Sequence, residues 1–159
     1  MREEILLPAG VKQIGYALAG WQNKDLAVGY RADGQRWGSP LDHHGAADGP
    51  SWNLRGNGGM LSRAVELSQW YEALFDGKVS GRTALQTFLK NHAGQSRSVG
   101  DTVHGPAGSN GIFNAFQLSF VEAAFHLTFF TSFAGIQAEK KWADFRDEVF
   151  SLVKEPGAQ

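Results

Sequence analysis

At 159 residues, 42% hydrophobic and 19% charged, the chain has the length and composition of a single globular domain with one core. Fifteen Lys and Arg against sixteen Asp and Glu leave a formal charge of -1, which offers no basic footprint to nucleic acid or to an anionic membrane. The absence of Cys excludes disulfides, thiolate metal sites and a Cys nucleophile, and the opening Met1-Arg2-Glu3-Glu4-Ile5-Leu6-Leu7-Pro8 carries too short an apolar run for a signal peptide or a membrane span, which predicts a cytoplasmic chain.

Residues 2–7 suit one helical turn, stopped by Pro8 and Gly10. From 11 to 50 no period is sustained; Gly, Pro, Asp and Asn are scattered among Tyr16, Trp21, Tyr30 and Trp37. That pattern predicts a long irregular segment with short strand-like pieces, pinned to the body by its aromatic rings. A glycine-rich turn with Gly56, Gly58 and Gly59 then leads into a helix over 62–75, for which Ser62 is expected to cap the first free N–H groups. Val65, Leu67, Trp70, Tyr71, Leu74 and Phe75 form its apolar stripe, and Gly77 ends it. A second helix is expected to run from about 80 or 81 to 91, burying Ala84, Leu85, Phe88 and Leu89, with a polar loop at 92–100.

The Phe-rich runs 112–120 and 123–133, divided at Val121-Glu122, read as a hairpin that is apolar on both faces, so both faces need a cover. A short strand at about 99–104 is expected beside it. Residues 136–153 complete the chain as a helix with Trp142, Phe145, Val149, Phe150 and Val153 inward and Glu139, Lys140, Lys141, Asp144 and Asp147 toward water. The fold class is therefore α+β: one domain over 1–159, with helices and loops in 1–98 and strands plus a covering helix in 99–159.

The order of these parts, with their phrases, is similar to a known family. Glu4-Ile5-Leu6-Leu7-Pro8-Ala9-Gly10-Val11 resembles the way penicillin-recognising serine hydrolases, the class C β-lactamase and esterase group, leave their central helix. Gly58-Gly59-Met60-Leu61-Ser62 resembles a later helix start of the same family, and Glu66 and Trp70 fit the acidic residue and the aromatic that follow it. Acyl transfer in that family uses a Ser-x-x-Lys at a helix start, a Tyr-x-Asn loop, and a strand with Lys-Thr-Gly or His-x-Gly that binds substrate beside the oxyanion hole. Tyr-x-Asn does not occur in this sequence, and the first two motifs belong upstream of the part that residues 1–11 match. The resemblance thus implies the C-terminal portion of a β-lactamase-like fold, read as a truncated or degenerate homologue without independent catalysis. It implies no cofactor and no metal, and relatives of this kind are often exported.

Thr102-Val103-His104-Gly105 stands where the third motif belongs, which makes His104 the candidate catalytic residue, although Pro106 occupies the place of the motif's Gly. Gly105, Gly108, Asn110, Gly111 and Asn57 are the matching candidates for substrate binding, with Gly108 able to replace the missing glycine in a rebuilt turn. Ser151-Leu152-Val153-Lys154 satisfies Ser-x-x-Lys only at the end of the last helix; with eleven Ser and seven Lys in the chain, chance accounts for it.

Other constellations have plain alternatives. Asp42-His43-His44 with Asp48 offers metal-binding groups, yet adjacent His residues on an extended chain diverge and the neighbouring Gly and Pro suit a solvated loop. Trp21, Trp37 and Trp52 with Tyr16 and Tyr30 suit either a sugar or aromatic-ester site or the pinning of a loop, and Asp42, Asp48 and Glu66 are the carboxylates from which a glycosidase pair would come. His92 and His126 read as ordinary, His126 as a histidine satisfied in or beside a sheet. Two further functions stay open: an active small hydrolase acting on an ester, amide or glycosidic bond near His104, and a binding module whose exposed Phe-rich face and sheet edge make a homo-oligomer. The expected partners are a small-molecule substrate and further copies of the chain, with no nucleic acid and no membrane.

Overall fold

The computed structural model describes residues 2–16, 21–43, 58–92, 102–120 and 125–134, and within the C-terminal segment 140–141, 144–145, 147–149 and 151–152. Trp52, Asn57, His44, Asp48, Glu139, Trp142, Phe150, Val153 and Lys154, which figure in the sequence reading, lie outside them. Helices and antiparallel sheets alternate along the chain, an α+β architecture.

The chain opens with a wide helical turn, Arg2–Leu6, in which Leu7 N donates to Arg2 O and Val11 N to Leu6 O, both five residues back. Leu6, Val11 and Ile14 are buried as one cluster, and Ala9, Leu67 and Trp70 pack on it. Strand β1 (Ile14–Gly15) pairs antiparallel with β4 (Leu61–Ser62). Next comes the helix α2 (Ala64–Phe75), so numbered because a four-residue helix, α1 (Pro40–His43), precedes it in the chain.

Ser62 does not cap α2. Its register with Ile14 commits it to a strand, its hydroxyl donates to Arg63 O, and Arg63 takes the cap position with no side-chain hydrogen bond. The end of α2 follows expectation. Gly77, at φ +72°, donates its N–H to Leu74 O and Lys78 N reaches back to Ala73 O, the paired bonds that close a helix through a left-handed residue. α3 (Gly81–His92) buries Leu85, while Ala84 is exposed because it falls on the outer side of the helix. The side chains of Phe88 and Leu89 lie outside the described residues, as does 93–100.

Three antiparallel strands in the order β5 (Thr102–Ser109), β6 (Asn114–Phe120), β7 (Phe125–Thr131) make the main sheet. β5 runs past the strand expected at about 99–104, as far as Ser109, and residues 99–101 lie outside the described residues. It continues through Gly105-Pro106 because the register slips between His104 and Ala107, which lets a proline sit in an edge strand without owing a ladder N–H. β6 starts at Asn114 rather than at 112, since Ile112 and Phe113 belong to the turn; the connection at 121–124 lies outside the described residues.

Strand alternation sorts the sheet into two faces. Ser119 opposite His126, Gln117 opposite Thr128 and Ala115 opposite Phe130 share one; Leu118 opposite Leu127 and Phe116 opposite Phe129 share the other. α2 packs against β7, with the Phe75 ring stacked on His126 at 5.1 Å on the first face, while Phe145 of the C-terminal helical residues stacks on Phe129 at 5.0 Å on the second. Asp144 and Asp147 are exposed, as their spacing implies, but Phe145, which the same spacing placed inward, is 37% exposed. A small hairpin, β2 (Gly29–Tyr30) with β3 (Arg36–Gly38), joins the end of β7 through Tyr30 N to Ser132 O and Ala134 N to Tyr30 O, each 2.9 Å. Among the described residues no helix is long and apolar enough to cross a membrane.

Candidate functional site

His104 lies in β5 with its Cα in register with Leu118, and β5 has β6 along one edge and no strand along the other among the described residues. The sequence places a glycine-rich turn directly after this histidine. In the structure the turn comes later, at 110–113, because Gly105 and Pro106 are absorbed by the bulge and Ala107, Gly108 and Ser109 resume pairing with Phe116, Ala115 and Asn114. Asn110 closes that turn: its Oδ1 accepts from Ile112 N at 3.0 Å and Phe113 N at 2.8 Å, and its own N donates to Phe113 O. Gly111 takes φ +86° and donates its N–H to Ser109 Oγ at 3.1 Å. Gly108 is exposed, with open space where a Cβ would stand, so no close backbone approach is seen at that position. Asn110 and Gly111 therefore shape the hairpin that carries His104, and Asn57 lies outside the described residues.

A second polar cluster gathers around α1. Ser39 is 1% exposed and its hydroxyl donates to Asn23 Oδ1, while Asp42 accepts from Ser39 N at 2.7 Å through Oδ2 and from Asn23 Nδ2 at 2.6 Å through Oδ1. The Ser39 amide, followed by the Asn23 side chain, holds the Asp42 carboxyl below its ordinary range. His43 Nε2 lies 2.5 Å from Trp37 O, and its ring stacks on Trp37 at 3.7 Å. With these groups engaged inside the loop, no His, Asp or Glu cluster suited to a metal occurs among the described residues. Trp37 also meets Phe113 edge-on at 5.7 Å, and Gly29 lies so close to Ile112 that a Cβ there would overlap its side chain. These contacts fasten the irregular segment to the β5–β6 turn, which is the pinning role for Trp37.

Glu66 has a structural task that its place in the resemblance does not disclose. Its Oε2 accepts from Lys12 N at 2.8 Å and Gln13 N at 3.2 Å, which ties the segment after Pro8 to the first turn of α2.

The third cluster lies between α2 and the sheet. His126 Nδ1 is 3.0 Å from Ser119 Oγ, Thr128 Oγ1 donates to Gln117 Oε1, and Gln117 Nε2 reaches Leu118 O at 3.3 Å and, at 3.5 Å, Ser119 Oγ. Gln117 and Ser119 are fully enclosed, at 1% and 0% exposure. Burial lowers the pKa of His126 below 6.5, opposed by the charges of Glu72 and Asp76 on and just after α2; burial alone pushes the Tyr71 phenol up to about 12. A Ser–His hydrogen bond is the first element of nucleophilic catalysis, yet here the hydroxyl has no path to a substrate carbonyl. Sequence reasoning foresaw the satisfied histidine but not the buried Gln117 and Ser119; the one signal was polar residues recurring at alternate positions in an otherwise apolar strand.

No family model, curated protein or solved structure matches this chain.

Proposed function

We propose that these 159 residues form a β-lactamase-like serine hydrolase homologue that does not carry out acyl transfer by itself. The observation that carries this reading is the Ser119–His126 pair: it has nucleophile-to-base distance, 3.0 Å, but Ser119 is sealed at 0% exposure between the sheet and α2. A serine hydrolase needs its hydroxyl within reach of a substrate carbonyl and of oxyanion donors at once. Further support comes from the order of parts, a helix entered through Gly58-Gly59-Met60-Leu61-Ser62 and packed on an antiparallel sheet whose edge strand carries His104. In this reading the edge of β5 that has no strand beside it among the described residues would border a cleft for a small-molecule substrate, and the nucleophile is not among these residues. Incubation with a fluorophosphonate or penicillin probe is expected to leave the chain unlabelled; stoichiometric labelling of one Ser would overturn the reading.

A second reading, a self-associating module, draws on Tyr30, Phe130 and Phe133, large rings 42%, 36% and 37% exposed near the end of β7. Its check is light scattering over a wide concentration range, where a monomer throughout would contradict it.

A further inference from the structure

We propose that the contact between α2 and the main sheet is a proton-operated latch, in which neutral His126, bonded to buried Ser119 and stacked on Phe75, holds the helix and protonated His126 releases it. The inference stands apart from the hydrolase reading, since it uses only the helix–sheet interface.

The hydrogen bonds around His126 share one direction. Thr128 donates to Gln117 Oε1, and the Gln117 amide points its N–H at Leu118 O and, more weakly, at Ser119 Oγ. Ser119 thus has its acceptor side addressed by Gln117 and its own proton free to donate to His126 Nδ1, which fixes the neutral ring with its proton on Nε2. Protonation places a hydrogen on Nδ1 as well. The last bond must then reverse, and the Ser119 proton, in a fully enclosed place, loses its acceptor. The ring also becomes a cation between the sheet and the Phe75 face, partly cut off from water.

Among the described residues the charges that face His126 do not cancel this cost. From the α2 side come Glu72 and Asp76, of which Asp76 already pairs with Lys78 at 2.8 Å; Tyr71 stacks on Phe75 at 6.4 Å, and its phenol stays neutral across the physiological range. From the sheet comes Ser119, and the β5 residue in register with it is Val103, which carries no charge. Burial outweighs the two carboxylates, so the ring's pKa in the folded chain lies below 6.5. For a histidine shifted that way the unfolded chain takes the proton first. The stabilisation is therefore complete above pH 6.5 and is lost as pH falls from there through the folded value.

Release has a defined consequence. α2 also holds Lys12 and Gln13 through Glu66, and Leu67 and Trp70 pack on Leu6, Val11 and Ile14. The helix and the segment 6–14 would move off the sheet as one piece.

The test is a proton NMR titration of the whole chain from pH 8 to 5, following the His126 ring resonances and the cross-relaxation between the Phe75 and His126 rings, beside urea unfolding of wild type and His126→Gln. The proposal expects a midpoint below 6.5, loss of the ring-to-ring signal at that midpoint, and an unfolding constant that rises by up to tenfold per pH unit more in wild type than in His126→Gln. It is overturned if the ring signal persists through the imidazole titration, or if the variant keeps the wild-type pH slope. Should His126→Gln not fold, the wild-type ring titration decides alone.

Discussion

The sheet with α2 and the irregular segment 21–43 are both ordered, but they are held by different means. In the sheet, residues far apart in sequence meet through continuous backbone ladders and an alternation of faces, with Leu118 at 3% exposure near its centre. In 21–43 a short hairpin, β2 with β3, is joined to the end of β7 by two backbone bonds, and the flanks are held by a side-chain knot: Asn23 bonds Ser39 and Asp42, 16 and 19 residues on, and Trp37 and Gly29 press on the β5–β6 turn. A long segment without hydrophobic period can thus be fixed by a short backbone hairpin, a few polar groups that satisfy one another and one ring that anchors them.

The largest break is expected in the sheet. Leu118→Ala should cost about 2–5 kcal/mol, through lost burial and the cavity left in a strand that cannot close on itself. Urea unfolding with an unchanged m value would register it as a lower midpoint. Gly29→Ala strikes where the two regions meet and should cost about 1–3 kcal/mol, because the new methyl must displace Ile112 or Phe113. Its effect should appear in amide hydrogen exchange of 110–114 as well as of the hairpin, whereas a purely local effect would leave the turn unchanged. Ser39→Ala, inside the knot, should cost about 1–2 kcal/mol by depriving the Asn23 carbonyl of its donor, with increased exchange confined to 21–43. The smallest effect belongs to Asp42, an exposed carboxylate whose pKa is held down by the Ser39 amide and the Asn23 side chain. Its contribution is complete above pH 3.8 and is lost as pH falls through the folded value, so Asp42→Asn should flatten the acid limb only below that pH.

The same contrast explains how much could be read in advance. α2 and α3 announce themselves through a 3.6-residue period and the Phe-rich strands through continuous apolar runs, and Gly77 marks a helix end because a left-handed residue is needed there. The extent of β5 was hidden: Gly105-Pro106 looks like a turn, and only pairing with β6 turns it into a bulge. Ser62 has the chemistry of a cap, but its register with Ile14, some fifty residues earlier, takes it into a strand. Glu66 suited a motif, while its bonds to Lys12 and Gln13 N–H depend on how the first ten residues fold back. For the site, the sequence named His104 and the turn residues after it; whether a Ser in reach is sheltered or open is a property of packing, as Ser119 demonstrates.

That shelter is also what makes the account testable by mass. Intact-mass spectrometry after prolonged exposure to a fluorophosphonate is predicted to return the unmodified 17.3 kDa species, from the folded chain because Ser119 is enclosed and from the unfolded chain because Ser119 has lost His126 as a base. One probe added per folded chain, at Ser119 or at any other serine, would contradict the claim that these residues do not perform acyl transfer on their own.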